Sequence, residues 1–334
     1  MIKPLTLPLA LLLFVASFTS HANQQMPFDE EFSDSAKMGV YPENIRNIQL
    51  LSEFNFSKHD PRIPILAKPS DDRKVRHASS PKWLDSVGKL RIEVIGSSCT
   101  AVLMKDEEDK ASRVAITNYH CVDKVLRSAN LEDIVHITFT SNTGEKIRSK
   151  VSFVYAHGGS LEKDYAILIL KDSIPTSKIS ALIPDGEHVL SVKEAINDTD
   201  VFDVLTQQTF AETAAGYSAD LDEHPGNGGV NLTYDETCYS YYHNDGVNFY
   251  YFEEYDTSNF VVAKNCHVYP GASGGAYVVS YLDKFDDEIE EVVALHGVIS
   301  GVSTELNGYS IAVKVSLFEG DLYDALERYN ILGY

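Results

Sequence analysis

Hydrophobic positions along most of this chain come in short runs. Lys89 to Ile95, Cys99 to Met104, Val114 to Thr117, Ile134 to Thr140 and Val151 to Tyr155 are rich in β-branched and aromatic residues and are broken by polar turns, the pattern of strands. Tyr165 to Leu170 is nearly all apolar, as suits a buried strand. A stretch with Pro175 and Pro184 then leads to a second set, at Val201 to Leu205, Asn248 to Phe252, Asn259 to Ala263, Ala276 to Tyr281, Val292 to Ile299 and Tyr309 to Val315. Two all-β halves are predicted. The tail from Leu317 to Asn330 spaces Leu317, Leu322, Leu326 and Tyr329 as an amphipathic helix does. No internal repeat interrupts this order.

The first 84 residues follow a different pattern. Met1-Ile2-Lys3 opens a nearly apolar run from Leu5 to Phe18, followed by Ser20-His21-Ala22. A positive start, an apolar stretch of about 14 residues and small residues at alternate positions describe a secretory signal peptide over 1–22. The run falls short of the roughly 20 residues that span a bilayer, so no membrane association is expected after its removal, and the chain is expected to be secreted or periplasmic. Residues 23–84 carry Pro27, Pro42, Pro61, Pro64, Pro69 and Pro81 with little periodicity, which fits an N-terminal extension or a prosegment. The basic cluster Arg73-Lys74-Val75-Arg76 near its end fits either a processing site or an ordinary surface.

Composition narrows the classes. At 334 residues and 44% hydrophobic, the chain can build a large core. With 28 Lys+Arg against 49 Asp+Glu the net charge is −21, which repels phosphate backbones, so nucleic-acid partners are excluded. Four cysteines in an exported chain read as two bridges before they read as metal ligands. The absence of C-x-x-C and H-E-x-x-H weakens a zinc reading, and neither a metal nor another cofactor is expected.

Three segments carry chemistry. Ala115-Ile116-Thr117-Asn118-Tyr119-His120-Cys121 delivers a histidine at a strand end, one strand after Cys99. A Cys99–Cys121 bridge would tie that strand to the turn holding His120, and closing about 22 residues is worth roughly 3 kcal/mol in the loop-entropy account. Pro270-Gly271-Ala272-Ser273-Gly274-Gly275 sets a serine among glycines on a tight turn before a strand. Glycines there permit positive φ, so the N–H groups of Gly271 and Ser273 could converge on a developing oxyanion. Asp164, at the mouth of the buried run, is placed to accept the Nδ1–H of a histidine and hold the tautomer that a general base needs. Each feature alone is commonplace, but their order, histidine, aspartate, serine, with each at a strand end, points to nucleophilic acyl transfer.

With these residues the chain resembles the chymotrypsin-like (trypsin-fold) serine peptidases, and within them the secreted bacterial-type branch. The resemblance runs from about Val87 to the C terminus. It rests on Thr117-Asn118-Tyr119-His120-Cys121, with Asn118 where the family usually has Ala, on Asp164-Tyr165-Ala166-Ile167-Leu168, and on Gly271-Ala272-Ser273-Gly274-Gly275. It implies an all-β fold of two six-stranded antiparallel barrels, residues 85–172 and 173–316, with a C-terminal helix at 317–334. It also implies a monomeric endopeptidase acting on peptides or proteins, with Ser273 as nucleophile, His120 as general base and Asp164 orienting it. In many bacterial-type members the cysteine seven residues before the serine pairs with one on an earlier strand, which implies a Cys238–Cys266 bridge.

The digestive enzymes carry an Asp at the position of Ala272 to receive a new N terminus, so activity here is expected not to depend on such an insertion. The resemblance sets the specificity pocket near His267 and at Ser300, Gly301 and Val302. An acidic residue at 267 would favour Arg or Lys in the substrate; His267 does not, and either favours acidic side chains or is turned away by Cys266, which leaves the preference open. Asp283 to Glu291 holds six acids in nine residues, a composition open to a calcium loop but more simply a solvated hairpin tip. Tyr239, Tyr241, Tyr242, Tyr250, Tyr251 and Tyr255 fit a substrate groove or plain sheet packing. Two other readings compete. One is an esterase with a G-x-S-x-G elbow, which needs a helix after the serine and the order Ser, Asp, His. The other is a catalytically silent binding module on the same fold.

Overall fold

The computed structural model describes residues 48–50, 71–106, 109–128, 130–160, 163–185, 211–220, 225–240, 259–264, 266–285, 288–303 and 310–332. The predicted signal peptide and the strands expected at Val201–Leu205 and Asn248–Phe252 lie outside these residues, as do all the singled-out tyrosines except Tyr239. Among the described residues no helix is long and apolar enough to cross a membrane.

Two short strands, β1 (Ile48–Leu50) and β2 (Lys74–Val75), precede two sheets. The first sheet holds β3 (Val87–Ile92), β4 (Ser97–Met104), β5 (Asp109–Thr117), β6 (Val135–Thr140), β7 (Lys146–His157) and β8 (Ala166–Pro175). They run in the order β5-β4-β3-β6-β7-β8, every pair antiparallel, and β8 pairs back onto β5. That closes a six-stranded barrel. Register places Leu90 opposite Cys99 and Thr117 opposite Ala166.

The second sheet comprises β9 (Ile183–Pro184), β10 (Ala211–Gly216), β11 (Thr233–Ser240), β12 (Phe260–Lys264), β13 (Ala276–Phe285), β14 (Glu288–Ser303) and β15 (Ser310–Lys314). Its order is β1-β14-β13-β10-β11-β12-β15, with β2 on β11, β9 parallel to β14, and a further pairing of β14 with β15. The acidic segment is a hairpin, since β13 and β14 stay paired out to Phe285 opposite Glu288. A helix at Glu319–Tyr329 follows, and β16 (Ile331–Leu332) returns to β5.

The apolar patterns explain this arrangement. Along β8, Ala166, Leu168 and Leu170 join Leu90, Leu103, Ile137 and Phe139 inside the closed barrel. The alternate positions Tyr165, Ile167 and Ile169 face a separate core, shared with Val278, Leu295 and Val298 of the second sheet. Because both of its faces are buried, β8 reads as a continuous apolar run rather than an alternating one. The C-terminal helix closes the same shared core with Leu322, Ala325 and Leu326, and Phe318 stacks on Tyr165 at 4.4 Å.

Residues 71–86 pack into the same body. Leu84 is fully buried, and Arg73 is buried with its guanidinium bonded to Asp71 and Asp220, 2.6 Å from an oxygen of each. It also lies 4.0 Å over the ring of Tyr269. Burial alone would lower the pKa of Arg73, but its bonds to Asp71 and Asp220 raise it above its ordinary value.

Candidate active site

His120 sits in a single 3-10 turn, Tyr119–Cys121, directly after β5. Three contacts fix it. Its backbone N–H donates to Asp164 Oδ1 at 3.0 Å, its Nδ1 lies 2.6 Å from Asp164 Oδ2, and the neighbouring Cys121 is bridged to Cys99 of β4. Asp164 is fully buried just before β8. Its Oδ2 also accepts the Ser300 hydroxyl at 2.5 Å, and its backbone carbonyl accepts the Asn118 side-chain amide at 2.7 Å. Asn118, where the resembled family usually has Ala, thus clamps the aspartate from behind.

With carboxylate oxygens facing Nδ1, the ring carries its proton there and leaves Nε2 as the acceptor. Among the described residues, His120 Nε2 and Ser273 Oγ are both buried and neither makes a hydrogen bond. Buried polar atoms without partners are uncommon.

Ser273 lies on a turn pressed against the closed barrel. Its carbonyl accepts the Thr100 N–H at 2.7 Å and lies 3.9 Å from Cys121 Sγ, beside His120. Gly271 and Gly274 have φ of +96° and +79°. A Cβ on Gly274 would come within 2.1 Å of the Thr100 carbonyl, and one on Gly271 within 2.4 Å of the Tyr217 carbonyl. Only glycine supplies both the φ and the clearance. Thr100 Oγ1 donates to the Gly271 carbonyl at 2.8 Å, and among the described residues the N–H groups of Gly271 and Ser273 donate to no backbone carbonyl.

Ala272 is fully buried among Ala214, Val268, Tyr277 and Ile299. A Cβ on Gly216 of β10 would fall 2.7 Å from the Ala272 Cβ, so β10 and the serine turn touch through small residues.

The second bridge joins Cys238 of β11 to Cys266. Beside it, His267 binds Asp235 twice, by its backbone N–H at 2.8 Å and by Nδ1 at 2.9 Å, while its Nε2 is buried without a partner. Burial pushes the Asp235 carboxyl up, but hydrogen bonds from His267 and Thr237 outweigh this and hold it below its ordinary value. His267 and Asp235 thus form a second histidine–aspartate pair that the sequence reading missed. The Thr233–Ser240 segment has no apolar alternation to flag it as a strand, so Asp235 carried no signal.

Ser300, expected along a pocket wall, turns its hydroxyl onto Asp164. Gly301 is buried on β14, and Val302 pairs through its backbone with Ser310. Cys99, His120 and Cys121 place possible metal-ligand atoms within 4.8 Å of one another, but with both sulfurs oxidised in the bridge they supply no thiolate. Ser273 is followed by strand β13, not by the helix of a strand-turn-helix elbow.

The chain matches no protein-family model and no curated protein.

Proposed function

We propose that this chain is a secreted serine endopeptidase of the chymotrypsin-like type. The observation that carries the proposal is the buried unit in which Asp164 holds His120 through Nδ1, leaving His120 Nε2 and Ser273 Oγ as unpartnered polar atoms. The closed barrel and the C-terminal helix support the architecture. The pairing of β14 with both β13 and β15 supports reading the second sheet as the second barrel.

In this reaction Ser273 Oγ attacks the carbonyl carbon of a peptide bond and its proton passes to His120 Nε2. The N–H groups of Gly271 and Ser273 meet the negative oxygen. The C–N bond then breaks as the imidazolium returns its proton to the leaving amine, and water releases the acyl group by the same steps. Asp164 stabilises the imidazolium throughout. The lack of a Ser273–His120 hydrogen bond is compatible with an apo enzyme, in which such contacts tighten only with substrate. It is also the one observation that favours a silent binding module.

Hydrolysis of a peptide library separates the two. The enzyme reading expects cleavage by the wild type that is lost in Ser273→Ala and reduced roughly 10³- to 10⁴-fold in Asp164→Asn. Equal residual turnover in all three proteins would leave the module.

A further inference from the structure

The described residues line an open cavity of about 430 Å³ to which none of His120, Asp164 or Ser273 contributes. Its charge is the reverse of the molecule's. On a chain of net charge −21 its walls hold Arg76, His77, Lys89, Arg91 and Lys146 and no Asp or Glu. The volume is that of an ordinary ligand pocket.

Elsewhere on the surface cations commonly rest on carboxylates, as Arg148 does on Glu93, Lys171 on Glu132 and Lys178 on Glu145. In this cavity only Arg76 is so matched, with Asp85. Lys89 donates to the Gly229 carbonyl at 2.5 Å and lies 5.8 Å from the centre of the Tyr217 ring, with no carboxylate partner. Among the described residues Arg91 and Lys146, both exposed, form no ion pair. Burial lowers the pKa of Lys89, and the charge on Arg91 lowers it further, a repulsion that a bound anion would relieve.

The sheet sets the spacing. Lys89 and Arg91 are alternate residues of β3 and so share a face, about 6.6 Å apart along the strand. Lys89 lies opposite Thr138 of β6, and Thr140, two residues on, lies opposite Lys146 of β7. The cations therefore lie spread across three adjacent strands rather than converging on one point as a compact anion requires. A row at this spacing matches carboxylates on alternate residues of an extended chain. Hydroxyl and amide groups of Thr138, Thr140 and Asn142 line the same cavity and can bond a peptide backbone.

We propose that this cavity docks an extended acidic peptide segment of another protein, a site distinct from Ser273 and independent of whether the chain is a peptidase. The test is binding of a fluorescent, end-blocked hexaglutamate peptide to the full chain, followed by anisotropy. Saturable binding is expected, weakened at least tenfold in Arg91→Glu/Lys146→Glu and unchanged in Lys110→Glu, an exposed cation outside the cavity. Thermal unfolding of the double variant within a few degrees of wild type shows that the loss is not misfolding. Binding that is absent in the wild type, or equal in the double variant, would overturn the proposal. So would displacement by inorganic phosphate at concentrations no higher than the peptide's, which would mark a compact-anion site instead.

Discussion

At the residue scale, the buried polar groups around Ser273 and His120 divide into satisfied and unsatisfied ones. Asp164 has both carboxylate oxygens engaged, by His120 and Ser300, while among the described residues His120 Nε2, Ser273 Oγ and His267 Nε2 have no partner. Ala272 belongs to the apolar group. Ala272→Asp would bury a carboxylate beside Gly216, so we expect a loss of about 3 kcal/mol or more in urea unfolding. A variant as stable as wild type would show that the turn has room we do not assign to it. His296 adds a pH dependence. Burial lowers its pKa to about 4, helped by Lys314, whereas the unfolded chain titrates near 6.5. The unfolded state therefore binds the extra proton first, and stability present above about pH 6.5 is lost as pH falls towards 4, up to ~3 kcal/mol. His296→Gln should flatten that part of the stability profile, and an unchanged slope between pH 6.5 and 4 would refute the assignment.

At the element scale, the strands most legible in the sequence are those whose apolar residues meet another apolar layer. β4 and β6 fall close to the expected runs, β5 contains its run but extends back to Asp109, β8 starts at Ala166 within its run and extends on to Pro175, and the C-terminal helix occupies Glu319–Tyr329 within the expected Leu317–Asn330. β3 ends at Ile92, where a 3-10 turn takes over Glu93–Ile95 and Gly96 adopts φ of +65°. β10, Ala-Glu-Thr-Ala-Ala-Gly, was illegible for a specific reason. Gly216 packs directly against Ala272 of the serine turn, and such close packing selects size where propensity would select branching.

Of the candidate site, the His120–Asp164 contact was legible through motif and order, whereas the contacts made by Ser300, Asn118 and Asp235 arise from tertiary packing alone. The Cys99–Cys121 bridge links β4 to the His120 turn. Replacing both cysteines with serine should cost about 3 kcal/mol in denaturant unfolding and lower turnover through a looser imidazole. Unaltered stability would make the bridge incidental. Arg73 ties the segment before β3 to Asp220 and to Tyr269, three residues before Ala272. Arg73→Met leaves two buried carboxylates without their cation, and a loss of roughly 3–5 kcal/mol is expected in the same assay.

At the scale of the whole molecule, net charge and cysteine count excluded classes but identified nothing, because neither records position. In the structure, the four cysteines become two bridges, one beside His120 and one seven residues before Ser273. Against the surplus of acid, the described surface carries a basic cavity that His120, Asp164 and Ser273 do not line. The central claim is that Ser273 is a nucleophile activated by His120. Its most direct test is a fluorophosphonate probe applied to the folded protein, with the adduct located by peptide mass spectrometry. We predict one covalent adduct, on Ser273, absent from Ser273→Ala and strongly slowed in His120→Ala. A folded wild-type protein that stays unlabelled, or that is labelled equally after Ser273→Ala, would contradict it.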